Sequence, residues 1–159
     1  MRGRTGFLPM ESIKPQGVNF VYIDVDAVNN RRNVIEKAKT LPISQAPSRA
    51  TRKLHTGDVL FSMVRPYLRN IALVDEKYSD ATIASTGFYV LTPTSALYSP
   101  YLFYLMLSSY VVDGLNQFMK GDNSPSINNG HIENYIYPLP PLNEQKRIVR
   151  KIEELYAQL

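Results

Sequence analysis

The chain has 159 residues, of which 44% are hydrophobic, and this is enough for one domain with an adequate core. It contains no cysteine, which excludes disulfides and thiolate metal sites, and His55 and His131 alone offer little for zinc. No apolar run is long enough to span a bilayer, and the basic N-terminus precedes no hydrophobic signal segment. We therefore expect a cytoplasmic protein without a metal or other cofactor and without a membrane partner.

The formal net charge is +4, and the basic residues are concentrated in one part of the chain. Between residues 31 and 69 there are nine of them against the two acids Glu36 and Asp58. Such a concentration can form one positive face. The alternative is a set of solvated loop charges, and the isoelectric point near 9.3 does not decide between them. The nine are Arg31, Arg32, Lys37, Lys39, Arg49, Arg52, Lys53, Arg65 and Arg69.

Alternation and β-forming residues predict most of the first hundred residues to be strands and turns. Residues 35–56 are polar and contain prolines, so we expect a long loop with irregular strand pieces there. The expected elements are a strand at 18–25, a turn at 29–33, a central strand at 59–64 that pairs as a hairpin with 70–74, and a strand at 82–91.

The following segment predicts a helix over 101–112, with Ser99 as its N-cap and Pro100 at its first position. Its aromatic residues fit a core better than a base-stacking platform; they are Tyr101, Phe103, Tyr104 and Tyr110. A polar loop at 119–130 and a last strand at 132–137 are expected next. The fold class is therefore α/β in the broad sense (α+β), a mixed twisted sheet with packed helices.

Three prolines, Pro138, Pro140 and Pro141, predict a stiff extended segment that leads into a terminal helix. Asn143 is the expected N-cap, and Glu144 complements the helix dipole. Apolar residues then recur with a/d spacing at Ile148, Ile152, Leu155 and Leu159. This pattern favours a coiled-coil-type helix that needs a partner helix, although an ordinary packed terminal helix shows the same spacing over two heptads.

The residues offer little for catalysis, and no catalytic residue is assigned. Neither a nucleotide-binding glycine motif nor a nucleophile with a base in reach is recognisable. Two acid-x-lysine triplets of the kind found in nucleases are present, at 75–77 and 144–146. The first reads as a solvated turn and the second as the first turn of the terminal helix, so we expect a binding protein.

Three stretches together resemble a known family. Residues 138–149 read PLPPLNEQKRIV and continue as KIEEL at 151–155; residues 57–62 read GDVLFS with RPYL at 65–68; residues 84–91 read ASTGFYVL. In this order they are similar to type I restriction-modification DNA specificity subunits. The resemblance covers roughly residues 18 to 159, and its most specific part is the junction between the prolines and the helix.

The resemblance implies a non-catalytic DNA target-recognition domain at residues 1–142, followed by the start of a conserved spacer helix at 143–159. Such a domain reads one half of a split target. Its helix packs on that of a second recognition domain, in the same chain or in a homodimer, and engages the methyltransferase (modification) subunits. A restriction subunit completes the complex. The chain departs from the family in having no tryptophan and a helix that stops early, which indicates a truncated or naturally shortened half.

Duplex DNA is recognised by cations on phosphates and by fixed donors and acceptors on base edges. Two polar loops and two arginines that flank a proline turn supply such groups. Arg49 and Arg52 point the same way if their stretch is one helical turn, and Arg65 and Arg69 suit phosphate contacts, unless they pair with Asp58 or Asp75. The expected DNA-binding residues are Arg49, Arg52, Lys53, Arg65, Arg69, Lys120, Asn123, Ser124, Ser126 and Asn129.

Other interpretations remain open. The second loop, at 120–131, is alternatively a surface turn that satisfies its own polar groups. At the level of function, the rivals are a nuclease, the recognition fragment of a fused restriction-methylation enzyme, and an interaction module that dimerises through the terminal helix without touching DNA.

Overall fold

The computed structural model describes residues 6–78 and 81–159. Strands dominate the first part of the chain and helices the second. The strands are β1 (Phe7–Leu8), β2 (Asn19–Ile23), β3 (Val28–Asn29), β4 (Val34–Ile35), β5 (Lys39–Pro42), β6 (Ala50–Lys53), β7 (Val59–Ser62), β8 (Ile71–Leu73), β9 (Thr82–Ser85) and β10 (Phe88–Pro93). The helices are α1 (Ser99–Leu107), α2 (Ser109–Asn116), α3 (Asn129–Asn134) and α4 (Leu142–Tyr156).

The strands form two four-stranded sheets and one small hairpin. The first sheet has the order β1-β10-β7-β8 and is antiparallel, and the second has the order β5-β2-β9-β6. In the second sheet β2 and β9 run parallel, so that sheet is mixed. The predicted hairpin of the central strand with its successor is confirmed as β7 and β8. The predicted α+β class is confirmed, with two sheets in place of the single sheet expected.

Strand alternation divides the core between the layers. In β7, Phe61 faces the helices while Leu60 faces the second sheet. Tyr89 and Val90 of β10 divide in the same way. One face of the first sheet therefore packs on the helices and the other on the second sheet. A smaller cluster around Phe20 covers the outer face of the second sheet.

The strand predicted at 82–91 is interrupted. Thr86 and Gly87 form a turn that carries the chain from β9 in the second sheet to β10 in the first. Strands β9 and β10 are both largely buried, so the sequence pattern of each is typical of a core strand. That pattern does not show that the two strands belong to different sheets.

The helix predicted at 101–112 is two helices, because Ser108 is extended (ψ 150°) and interrupts the backbone ladder. The Ser108 hydroxyl accepts a hydrogen bond from Val111 N and so caps α2. Ser99 is not the N-cap of α1; Tyr98 holds that position and its side chain makes no capping bond. Tyr101 lies in the core as expected, whereas Tyr110 is 53% exposed.

The strand predicted at 132–137 is wrong, since α3 occupies its first half. Asn128 caps α3 by accepting from His131 N, and the His131 imidazole accepts in turn from Asn128 N. The N-cap predicted for the last helix is also wrong. Helix α4 begins at Leu142 after Pro141, without a side-chain cap, and Asn143 lies inside it.

Candidate nucleic-acid interface

Several strand ends meet at one end of the two sheets. Strand β6 begins after Arg49, beside the end of β9, because these neighbours are antiparallel. Strand β8 begins after Arg69, beside the end of β7, and β10 begins there too. The segments that join these strands therefore lie together. We call this end the basic edge; it comprises Arg49, Arg65, Arg69 and the loop 120–126.

Backbone hydrogen bonds connect the basic edge from one sheet to the other. Thr86 N donates to Arg49 O at 2.9 Å, and Met63 N donates to Gly87 O at 2.8 Å. Ile127 N then donates to Met63 O at 2.9 Å, which attaches the segment after loop 120–126 to the end of β7. These backbone hydrogen bonds join the segments of the basic edge, so the position of loop 120–126 depends on the positions of the strand ends beside it.

Gly87 allows Arg49 to lie against the backbone of this edge. A Cβ atom at Gly87 would lie 2.8 Å from Arg49 Nη2 and 2.9 Å from Val25 Cγ2, closer than real Cβ atoms approach other atoms. Arg49 is nevertheless exposed, so its guanidinium remains accessible to a ligand.

Arg65 and Arg69 flank a single 3-10 turn, Pro66–Leu68, and both have left-handed backbone conformations, with φ 46° and 55°. This conformation costs a residue other than glycine roughly 1 kcal/mol, so tertiary contacts must offset it. For Arg65 they are visible: its N–H donates to Pro125 O at 2.8 Å, and Nη2 donates to Asn123 O at 2.6 Å.

Arg69 is held differently. Its Nε donates to Leu107 O at 3.4 Å, at the end of α1, where a cation is favourable for the helix dipole. Within the described ranges, the alternative pairing of Arg65 or Arg69 with Asp58 or Asp75 does not form. Asp58 accepts from His55 N, and Asp75 accepts from Lys77 N in a local turn.

The loop 120–126 closes on itself through Lys120 and Ser126, whose backbones exchange two hydrogen bonds of 3.0 and 2.9 Å. Gly121 has φ +111°, which few other residues adopt. Asn123 and Ser124 are exposed at the tip. Among the described residues, neither the Asn123 amide nor the Ser124 hydroxyl has an intramolecular partner, so both are free to meet a base edge.

The structure does not bring Arg52 and Lys53 to the basic edge. Their stretch is strand β6, which begins after Arg49 and pairs with β9 with a register shift between Ala50 and Arg52, so Arg49 and Arg52 do not share a helical turn. Arg52 is half-buried toward Tyr89 and Glu133; burial lowers its pKa, and these two groups oppose that shift. Lys53 Nζ lies 3.7 Å from Glu11.

Asn129 lies beyond the loop as the first residue of α3, next to an aromatic groove that sequence reasoning missed. The groove encloses about 560 Å³. Phe118 is stacked on His131 in its wall, with ring centroids 4.8 Å apart. Its described lining residues also include Tyr110, Tyr135 and the 80%-exposed Ile136.

Two further cations, Arg31 and Arg32, lie on the β3–β4 hairpin next to Arg69 and were missed as site residues. Asn33 Nδ2 donates to Arg69 O at 2.9 Å, which places the hairpin turn at the basic edge. The sequence feature that marks them is a pair of arginines inside an asparagine-rich turn. The pair belongs to the basic concentration at residues 31–69, but nothing in the sequence alone gives it a role.

Helix α4 divides the predicted a/d residues between two environments. Its buried residues are Gln145 and Val149, which face α1 and the domain core. Ile148 and Ile152 are half-buried, and Ile148 packs on the same core. Leu155 is 52% exposed and Leu159 is 97% exposed. The first turns of α4 thus pack on the rest of the described fold. The exposed apolar residues are Leu155, in the last turn of α4, and Leu159, three residues beyond the end of the helix at Tyr156.

The two acid-x-lysine triplets lie where the sequence predicts them, 75–77 in a turn and 144–146 at the start of α4. Glu144 accepts from Arg147 Nε at 2.9 Å, and Asp75 belongs to the turn described above. Across residues 6–78 and 81–159 no group of three or more acidic or histidine side chains is arranged to hold a metal ion. Over the same ranges no helix is long and apolar enough to cross a membrane.

Comparison with known proteins identifies the family. A two-sheet α+β domain with a basic loop-bearing edge and an emerging terminal helix has the architecture of a DNA specificity domain. A model of the family described as type I restriction modification DNA specificity domain matches residues 5–159. The chain belongs to this family.

Individual proteins that resemble this chain support the same family. The chain is 29% identical over 108 residues to the type I restriction enzyme EcoDI specificity subunit of Escherichia coli, covering 68% of this chain and 23% of that protein. It superposes with a TM-score of 0.88 and 36% identity on the HsdS subunit of Thermoanaerobacter tengcongensis, covering 99% of this chain and 42% of that one. A second structure, from work on assembly and conformational transition of the type I R-M system, matches equally well. The chain spans less than half the length of these relatives.

Proposed function

We propose that this domain recognises a short sequence in duplex DNA as one half of the split target of a type I restriction-modification system. The observation that carries the proposal is the bond between Arg65 and the backbone of Asn123, in a chain of this family. This bond holds the Arg65 guanidinium beside the tip of loop 120–126, which supports a model in which Arg65 meets phosphates while the tip meets base edges. A duplex lying across this edge meets both kinds of contact that specific binding requires.

The roles divide by chemistry. Arg49, Arg65 and Arg69 are long cations near the backbone of the edge and suit phosphates, which are shared by all sequences. Asn123 and Ser124 carry short side chains of fixed donor and acceptor geometry and suit base edges. Lys120, Ser126 and Asn129 flank this tip and extend the contact.

The partners follow from α4. We propose that Leu155 and Leu159 pack on a helix from a second recognition domain, supplied by the same polypeptide or by a second copy of this chain. Methyltransferase and restriction subunits then assemble on the paired helices in the cytoplasm and carry the catalysis, while this domain contributes recognition alone. Because one domain holds half of the contacts, its own affinity is expected to be weaker than that of the paired form.

The test is selection from a pool of randomised duplexes at two salt concentrations, followed by sequencing of the retained DNA. Recovery of a short common motif supports the proposal, since contacts to base edges select particular base pairs. Retention without a motif, or no retention by the chain alone and in the presence of a methyltransferase subunit, contradicts it.

The rival interaction module is distinguished by charge reversal. Arg49→Glu removes a cation from the basic edge and leaves α4 untouched. If the domain recognises DNA, this variant should retain less of the selected duplex. If it is an interaction module, the variant should self-associate as the original chain does, and its retention of DNA should not differ from that of the original chain.

A further inference from the structure

The β3–β4 hairpin presents two adjacent arginines on a fixed turn. Arg31 N and Arg32 N both donate to Asn29 Oδ1, at 3.0 and 3.1 Å, which shapes the turn. Asn33, with φ 54°, donates from Nδ2 to Arg69 O and to Ile71 O, at 2.9 and 3.2 Å. The turn is therefore attached to the start of β8 at the basic edge.

A second attachment comes from the neighbouring asparagines. Asn30 Nδ2 donates to Asn70 Oδ1 at 3.2 Å, and Asn70 Nδ2 donates to Val25 O at 2.9 Å. The hairpin is thus bonded to Asn70, just before β8, and Asn70 is in turn bonded to Val25, in the segment that follows β2. Because these hydrogen bonds hold the turn in place, Arg31 and Arg32 project from a fixed backbone position.

The two guanidinium groups are exposed. The nearby acids have other partners: Asp26 lies 4.0 Å from Lys39 Nζ, and Glu36 accepts from Asn29 Nδ2 at 2.6 Å. Within the described part of the chain, neither Arg31 nor Arg32 forms an ion pair. Two exposed arginines on an anchored turn, beside the cation Arg69, are suited to an anionic ligand.

We propose that the β3–β4 hairpin is an arm that binds phosphates of duplex DNA flanking the recognised half-site; this rests on the proposed function above. The short amide side chains of the turn are used within the protein, so its two arginines make the contact. Because arginine can also read guanine, the motif selected by the arginine variant tests their assignment to the DNA backbone. Asn29, Asn30 and Asn33 all donate internally. What remains are two flexible cations, which neutralise phosphates without requiring a fixed geometry.

The phosphate role and the base-reading role differ in what they predict. Loss of a phosphate contact weakens binding to every sequence alike and reduces the salt dependence, whereas loss of a base contact changes the preferred motif. We expect the hairpin to make phosphate contacts and the tip of loop 120–126 to make base contacts.

The experiment measures Kd at several salt concentrations for a duplex that carries the selected motif and for a scrambled duplex. The variant Arg31→Ala/Arg32→Ala should bind both duplexes roughly tenfold more weakly at low salt, with the slope of log K against log salt reduced by about 0.9 per lost contact. Arg31→Lys/Arg32→Lys keeps the charges and should bind almost as the original chain does. Lys77→Ala removes an exposed cation beyond the far end of β8 and should leave Kd and slope unchanged.

One variant tests the placement of the charges. Asn33→Gly tolerates the left-handed turn but removes both anchoring hydrogen bonds, so it should weaken binding to both duplexes although Arg31 and Arg32 are intact. Circular dichroism melting confirms that each variant is folded.

Three results would contradict the proposal that the hairpin binds phosphates. They are an unchanged Kd and slope in the double alanine variant, a changed motif in that variant, or equal losses for the alanine and lysine pairs. Failure of the original chain to bind any duplex would instead refute the proposed function, and with it the arm.

Discussion

The guanidinium of Arg65 donates to the backbone carbonyl of Asn123, 58 positions away, at 2.6 Å. The same residue donates from its backbone to Pro125 O, so Arg65 holds loop 120–126 by two bonds. Its left-handed backbone is a cost that these bonds offset. The turn between β7 and β8 and the loop before α3 therefore behave as one unit, and the presentation of the loop tip depends on a side chain outside it.

Replacement of Arg65 by glycine should loosen the loop without straining the turn, because glycine tolerates φ 46°. We expect weaker DNA binding together with a broader or altered selected motif. Amide hydrogen exchange should also accelerate at Ser126 N, which donates to Lys120 O in the closed loop. Both effects are measurable on the same purified variant.

Arg69→Gly is the matched control. Arg69 shares the left-handed conformation and the charge, but its side chain donates to Leu107 O and does not touch the loop. This variant should lose affinity with the motif retained. If the two glycine variants have the same motif and the same exchange at Ser126, then Arg65 does not organise the loop.

Gly87→Ala tests the contact between Arg49 and the turn from β9 to β10. The added methyl group overlaps Arg49 Nη2, which can move, and Val25 Cγ2, which is less free to do so. Overpacking of this kind costs about 1–3 kcal/mol in free energy of unfolding. Displacement of the guanidinium should also lower the affinity for DNA.

A double-mutant cycle separates the two effects. In an Arg49→Ala background the Gly87→Ala change should have little further effect on Kd, since the displaced group is already gone, while the loss of stability through Val25 remains. Additive losses in Kd would show that Gly87 does not act through Arg49.

The elements that were predictable from sequence have local signals. The β7–β8 hairpin follows from two apolar runs, and the stiff segment before α4 follows from Pro138, Pro140 and Pro141. The short helix α3 was not predictable, because six residues are too few for periodicity and its start is set by the Asn128–His131 capping pair. The change of sheet at Gly87 depends on packing, which a single strand pattern does not encode.

The candidate site was predictable in its parts and not in its arrangement. Arg49, Arg65 and Asn123 were expected to face DNA, but nothing local shows that they share one edge, since this depends on antiparallel pairing between distant strands. Arg52 was placed with Arg49 on the assumption of a helical turn, and the observed strand turns it toward Glu133 instead.

Gln145→Leu should destabilise the domain by about 1–3 kcal/mol, because it leaves three partly buried backbone groups without their hydrogen-bond partner. The Gln145 side chain is fully buried; its Oε1 accepts from Tyr98 N at 2.8 Å, and Nε2 donates to Ala96 O at 3.0 Å and Pro140 O at 2.8 Å. Urea unfolding measures the change. Lys146→Leu, at the adjacent exposed position, should cost far less, and equal costs would show that these bonds contribute nothing specific.

The buried carboxyl of Asp58 makes stability depend on pH. Burial raises its pKa, and hydrogen bonds from the His55 amide and from neighbouring side chains oppose this shift only in part. His55 Nδ1 lies 3.5 Å from the carboxylate, and His55 Nε2 lies 3.3 Å from Glu11. In the unfolded chain the carboxyl ionises near its ordinary value of about 3.9, so the folded state holds the proton to higher pH.

The sign of the effect follows from this difference. The contribution of Asp58 to stability is complete below the unfolded pKa and is lost as the pH rises through the folded pKa. Asp58→Asn carries no ionisable group, so its stability relative to the original chain should increase with pH from about 4 upward, by about 1.4 kcal/mol per unit of pKa difference, and then level off. Urea unfolding of both proteins across this range measures it. The increase should persist in a His55→Gln background, because burial is the larger cause; a difference independent of pH would show that Asp58 does not retain its proton in the fold.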